Sequence, residues 1–239
     1  MESKAAEFER PIVVIACRVF QDLLEKYLPS GVKGSLFVKE YGLHEFPKKL
    51  RQSVQDTIDQ IEEPSLIILG YGLCGNGLSG IQAGKHVLVM PRTDDCIAIL
   101  LGSYQAYRRE FDREPGTYYL SKGWLEAGSD PLSEHEEYVE KYGPEKAQWI
   151  MDQQYSNYRR LVLVAHSEED LESYRPRAKE VAKYCERWGM RYEELLGSDL
   201  YFQELLMAVE QLPDVEDERF LVVRPGNAIE QSDFVPYVE

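Results

Sequence analysis

Three apolar runs constrain this chain most: PIVVIAC at 11–17, SLIIL at 65–69 and HVLVM at 86–90. Each is continuous rather than alternating, the pattern of a strand covered on both faces. The segments between them have helical spacing. Residues 18–28 bring Val19, Phe20, Leu23, Leu24 and Tyr27 onto one face, and Pro29-Ser30-Gly31 stops that helix. Residues 35–39 make a second, short strand. Pro47 suits the first turn of a helix running to about residue 61, with Leu50, Val54, Ile58 and Ile61 aligned. A short helix over 78–83 and a longer one over 96–111, capped by Asp94 or Asp95, complete this half. The order β-α-β-α-β-α-β-α with short connections predicts an α/β fold built on a mostly parallel, Rossmann-like doubly wound sheet.

The second half keeps the alternation. An aromatic strand in PGTYYLSKGW ends at a Gly123-Trp124 turn, and Ser133-Glu134-His135-Glu136 fits a capping box that opens a polar helix. A second helix follows Gly143-Pro144 to about 157. Then come strand 161–165, helix 176–188, strand 190–195, helix 199–211, strand 220–223 and a polar tail from Asn227. Two arrangements agree with this order. One is a single α/β domain over 1–239 with one extended sheet. The other has two similar sub-lobes, 11–132 and 158–226, with the helices of 133–157 between them.

A formal charge of −15, with no basic stripe to offset it, excludes nucleic acid and anionic membrane as natural partners. The longest apolar runs, 11–17 and 96–101, are far too short to span a bilayer. The charged start MESKAAEFERP is unlike a signal peptide, so a cytoplasmic location is expected. Four cysteines in that setting point to metal, catalysis or packing rather than to a disulfide framework.

In open parallel sheets, functional groups gather in loops beyond the C-terminal ends of the strands. Cys17 ends the first strand, His44 follows the second, Cys74 lies in the glycine-rich loop after the third, and Cys96 opens the helix after the fourth. Cys185, His86 and His135 fail that test. Three thiols and an imidazole suit a soft metal, so Cys17, His44, Cys74 and Cys96 are the expected ligands of zinc or of an iron–sulfur cluster. Two other readings stay open. In one, Cys96 or Cys74 is a metal-free nucleophile with His44 as base. In the other, the cysteines pack and the protein is a non-catalytic accessory. The sequence does not decide whether the protein is an enzyme. For catalysis the candidates are Cys96, Asp95 and His44. The helix N-terminus and Arg92 favour a Cys96 thiolate, whereas Asp94 and Asp95 oppose it unless a cation is present or one of them caps the helix.

Gly72 and Gly75 would let backbone approach a bound cofactor, with Arg92 beside them. Gly70-x-Gly72-x-x-Gly75 matches a dinucleotide fingerprint by letters, but the helix it needs is short and broken by glycine. There is no P-loop, nucleophile elbow or H-E-x-x-H. Tyr118, Tyr119 and Trp124, with Lys122, could wall a small-molecule pocket. His166 and Arg224, each after a strand, are outer candidates for an anion.

The runs ACRVF, LHEFP, GYGLCGNGL, PRTDDCIAILLGS and PGTYYLSKGW together resemble an uncharacterised domain-of-unknown-function family of anaerobic bacteria and methanogenic archaea. The resemblance covers nearly the whole chain. Its members often lie near corrinoid-dependent methyltransferases, which implies anaerobic one-carbon or methyl-group metabolism and a corrinoid or methyltransferase protein as partner. The family pattern H-D-C is Asp94-Asp95-Cys96 in this chain, which leaves Asp95 and Cys96 as the positions that match.

Overall fold

The computed structural model describes residues 11–28, 32, 35–207 and 217–234. The lead-in 1–10, the Pro29-Ser30-Gly31 stop and the predicted helix beyond Met207 lie outside them. The chain forms two compact units, 1–99 with 199–239, and 100–198.

The first unit is built on a five-stranded sheet. Its strands are β1 (Ile12–Cys17), β2 (Leu36–Lys39), β3 (Leu66–Gly70), β4 (Val87–Pro91) and β8 (Phe220–Val223), in the order β2-β1-β3-β4-β8. The first four are parallel, and β8 runs antiparallel to β4. The expected α/β class with a mostly parallel, Rossmann-like sheet is what the strands form. Helix α1 (Gln21–Tyr27), entered through a 3-10 turn at Arg18–Phe20, and α9 (Leu200–Met207) pack together, and α9 also packs on β3 and β4. Phe20 stacks on Phe202 at 5.1 Å. Helix α2 (Pro47–Asp59) starts on its proline as predicted and buries Leu50, Val54 and Ile58. These join Val13, Ile15, Ile67, Leu69, Leu88 and Met90 in one core cluster. Strand alternation explains the set, because every second residue of β1, β3 and β4 meets α2.

The second unit carries α4 (Tyr104–Arg113), β5 (Thr117–Ser121), α5 (Lys122–Glu126), α6 (Pro131–Tyr142), α7 (Pro144–Tyr155), β6 (Arg160–Ala165), α8 (Glu168–Cys185) and β7 (Arg191–Leu196). Its three strands are parallel, in the order β5-β6-β7. The single extended sheet is therefore not what forms. Strand β5, which the sub-lobe reading assigns to residues 11–132, pairs with β6 instead. Leu120, Met151, Leu161, Leu163, Val181 and Cys185 fill this unit's core. Arg160 is 0% exposed and is held between Glu110 and Glu193, at 2.6 and 2.9 Å.

Several predicted elements differ, each for a local reason. Residues 78–83 form no helix, because the tail claims their backbone, with Gln82 bridged to Ala228. Gly80 N–H donates to the Ile229 carbonyl, Ile229 N–H to Ile81 and Ala83 N–H to Asn227. The tail to Phe234 is accordingly tied down, and Ile229 is buried. The 96–111 helix is two, α3 (Ile97–Leu101) and α4, broken where Gly102 takes φ +89° and Ser103 caps α4 through Ala106 N–H. Helix α6 begins before the supposed Ser133 box, because Asp130 caps it from Leu132 and Ser133 N–H with Pro131 at its first position. Gly123 and Trp124 lie in α5, not in a turn. Helix α8 begins eight residues before Pro176, behind the Ser167 cap and three acidic residues.

Candidate functional site

In the order β2-β1-β3 the chain turns one way from β1 and the other way into β3. The C-terminal ends of β1 and β3 therefore flank a topological switch point, where open α/β sheets bind ligands. Cys17 is the last residue of β1, and Tyr71 follows the last residue of β3. Ile15 pairs with Leu69 and Ala16 with Gly70, so Cys17 and Tyr71 come next in register. Both continue the odd-numbered face that meets α2, and both join its core cluster, as do Leu73 and Cys74.

The loop after β3 then lies along the loop after β4. Leu73 N–H donates to the Thr93 carbonyl and Cys74 N–H to the Asp94 carbonyl, both at 2.9 Å. Cys74 and Asn76 take φ +49° and +66°, which gives the loop its tight path. Gly72 is needed for contact: a Cβ there would lie 2.5 Å from the Asp95 carbonyl carbon and oxygen. That pairing carries Cys74 to the neighbourhood of Cys96. Cys74 is buried, and Cys17 and Cys96 are partly exposed.

Cys17 acts on both other thiols, and Cys74 acts on Cys96. Burial is the largest cause that raises each; the Cys17 and Asp95 charges add to it at Cys74, and the Cys74, Asp95 and Cys17 charges at Cys96. The backbone N–H groups of Val19 and Arg18 act the other way on Cys17. The Tyr71 hydroxyl is pushed up by burial and then by Cys17, Cys74 and Cys96. Asp95 accepts Ile97 N–H on Oδ1 at 2.8 Å, and burial raises its carboxyl to about 6. Asp95 is thus the cap of α3, whereas Asp94 is exposed. Both sequence alternatives for this pair were a cation or a cap, and the cap accounts for Asp95.

Other expected residues fall elsewhere. His44 is exposed on a 3-10 turn, Leu43–Glu45, beyond the edge strand β2. Among the described residues, no group of three or more histidine, cysteine, aspartate and glutamate side chains is arranged to hold a metal ion, so Cys17, His44, Cys74 and Cys96 do not stand as a closed ligand set. Gly75 is exposed with open space around it, and Arg92 N–H donates to the Arg219 carbonyl. Gly72 meets protein backbone where a cofactor was expected. The dinucleotide alternative lacks its helix, since turns follow Gly75. Arg224 follows an antiparallel strand and so lies level with the start of β4, at the opposite edge. In the second unit, Tyr118 packs edge-on against Tyr155 and Tyr158, Lys122 lies over Tyr174, and His166 Nε2 meets the Leu100 carbonyl at 2.9 Å. His86 and Cys185 are buried packing residues. The residue missed from sequence was Tyr71. The alternation 67, 69, 71 beside 13, 15, 17 was the signal that could have found it.

With the site in view, comparison with known proteins gives one match. Residues 38–206 fit the family model described as protein of unknown function (DUF1638). The chain belongs to this family. No curated protein and no solved structure matches it. The family model spans Cys74, Cys96 and Tyr71 but begins after Cys17. No helix among the described residues is long and apolar enough to cross a membrane.

Proposed function

We propose that the C-terminal edge of the five-stranded sheet is a soft-metal centre with Cys17, Cys74 and Cys96 as its protein ligands, holding zinc or an iron–sulfur cluster. The observation that carries this reading is the convergence of three cysteine-bearing loops, after β1, β3 and β4, at the switch point of the sheet. Thiolates are the donor type that such metals select. The thiols do not form a closed set, so the reading requires that binding draws them together. His44, exposed beyond β2, has no part in it.

The donor chemistry supports the reading. A catalytic thiol needs surroundings that favour the thiolate, such as a base or cation. Here the cysteines meet mostly burial and one another's charge, and a metal cation would reverse that balance. Such a centre would supply Lewis acidity if zinc, or electrons if a cluster. The setting implied by the family resemblance, beside corrinoid-dependent methyltransferases, would give either a use in methyl-group metabolism. Anaerobic purification followed by metal analysis tests the reading. Wild type and Cys185→Ser should carry metal, and Cys17→Ser, Cys74→Ser and Cys96→Ser should lose it. Brown, oxygen-sensitive protein identifies the cluster and colourless protein identifies zinc. Metal-free wild type would refute the proposal.

A further inference from the structure

A groove beside the edge strand β2 contains none of the cysteines. It holds about 500 Å³ and runs between the end of β2 and one side of α2. Helix α2 and its C-terminal cap supply Lys49, Gln52, Ser53, Asp56, Thr57 and Gln60, which recur at helical spacing, so a single stripe of the helix forms that wall. The stripe beside it, with Leu50, Val54 and Ile58, faces the core. Lys39 forms the opposite wall. It pairs in register with Cys17, whose face of the sheet meets α2, and its Nζ donates to Thr57 Oγ1. Thr57 is buried and passes its own hydrogen to the Ser53 carbonyl at 3.0 Å, so this chain of bonds holds the amine at the groove. Lys49 Nζ lies 4.5 Å from the centre of the Phe46 ring. Among the described residues neither amine has a carboxylate within ion-pair distance. Burial disfavours the Lys39 ammonium and lowers its pKa, and the Asp56 charge opposes this. Two cations without counter-ions on one polar groove form an arrangement that an anion completes.

We propose that this groove binds a small hydroxylated oxyanion, with its phosphate or carboxylate group on Lys39 and Lys49 and its hydroxyl groups on Asp56. The size suits a small molecule, since ligand pockets hold about 300–1,000 Å³. Leu43 is the one apolar residue in the lining, so a large apolar body would find nothing to bury against. Asp56 gives the site its selectivity. Gln52 Nε2 donates to its Oδ1 at 2.6 Å and holds it in place. An ionised carboxylate only accepts hydrogen bonds, so it repels a bare anion and rewards one that carries hydroxyl donors. The formal charge of −15 on the whole chain repels anions at long range, so recognition rests on the two amines at contact distance. The site is independent of the soft-metal reading, needs no metal and stands or falls without it.

Calorimetric titration of the full chain tests this, with glycerol 3-phosphate, glycerate and inorganic phosphate as probes, in about 0.1 M salt to screen the long-range field. Wild type should bind glycerol 3-phosphate or glycerate more tightly than inorganic phosphate, and the tighter of the two identifies the acid group. Lys39→Met and Lys49→Met should each weaken that binding about tenfold, the loss of one charge-assisted hydrogen bond. Lys48→Met removes the same charge one residue away, outside the groove lining, and should leave it unchanged. Asp56→Asn should tighten inorganic phosphate while narrowing the preference for the hydroxylated probe. Wild type that binds none of the three would overturn the site. An equal loss in Lys48→Met would overturn it too, by showing only the general field of the surface. An equal gain for both kinds of probe in Asp56→Asn would overturn the role given to that carboxylate. Lys49 is exposed, so Lys49→Met keeps the test decisive even if Lys39→Met fails to fold.

Discussion

Gly72→Ala tests the local architecture that brings the two cysteine loops together. The added methyl would lie 2.5 Å from the Asp95 carbonyl carbon and oxygen and 2.7 Å from its Cα. All three are backbone atoms, so no rotamer change relieves the contact, and the two loops must part by about 1 Å to reach ordinary van der Waals separation. Overpacking of this kind costs about 1–3 kcal/mol. The displacement also loosens the 2.9 Å bonds from Leu73 and Cys74 N–H to Thr93 and Asp94, each worth about 1 kcal/mol. The expected loss is about 3 kcal/mol, a large share of the roughly 5–15 kcal/mol typical of a domain. Gly75→Ala is the control. It has φ +59° but nothing within 4 Å of a new Cβ, so it should cost only about 1 kcal/mol for the backbone conformation. Urea denaturation gives both numbers, and alkylation under native conditions should find Cys74 and Cys96 faster in Gly72→Ala. Equal losses for the two variants, or unchanged alkylation, would refute the reasoning.

Two further predictions concern stability. Arg160→Leu removes the buried cation from Glu110 and Glu193, leaving them the more exposed Arg113 at 3.8 and 3.3 Å, and should cost about 3 kcal/mol; adding Glu110→Gln and Glu193→Gln should recover part of it, and no loss in the single variant would refute the ion-pair account. His86 is 2% exposed and accepts Ser65 N–H on Nδ1, and burial followed by the Lys85 charge lowers its pKa. Below its unfolded value of about 6.5 the unfolded chain takes up the proton first, so stability is full above that pH and falls as pH drops toward the folded value. Melting curves of His86→Leu should lack this component, and an identical pH slope in both proteins would count against it.

The first half of the fold was largely legible because its strands are buried on both faces. Runs such as IVVIA and LIIL announce themselves without alternation, and short connections between them imply parallel pairing. What failed was set by partners far along the chain. Residues 78–83 have helical composition, but their N–H and C=O groups bond to 227–229. The 96–111 segment is apolar enough for one helix, yet Gly102 sits against Ser198, where a Cβ would lie 2.4 Å away, and the helix breaks there. For the site, the rule about strand ends located Cys17, Cys74 and Cys96 without any spacing motif. The same rule admitted His44, because it ignores that β2 is the edge strand and that four residues separate His44 from its end. It also admitted Arg224, because strand direction is invisible to it.

The division of the chain also bears on how it is made. The first unit is interrupted: β4 is complete by Pro91, but its neighbour β8 begins only at Phe220, after the whole of 100–198 has been synthesised. The second unit is contiguous and can close while the first still waits. During that interval one side of β4, an apolar strand buried along its whole length in the finished protein, has no strand to pair with. A nascent chain paused before Phe220 would present that edge to other chains, which makes this window of translation the place where chaperone protection matters most.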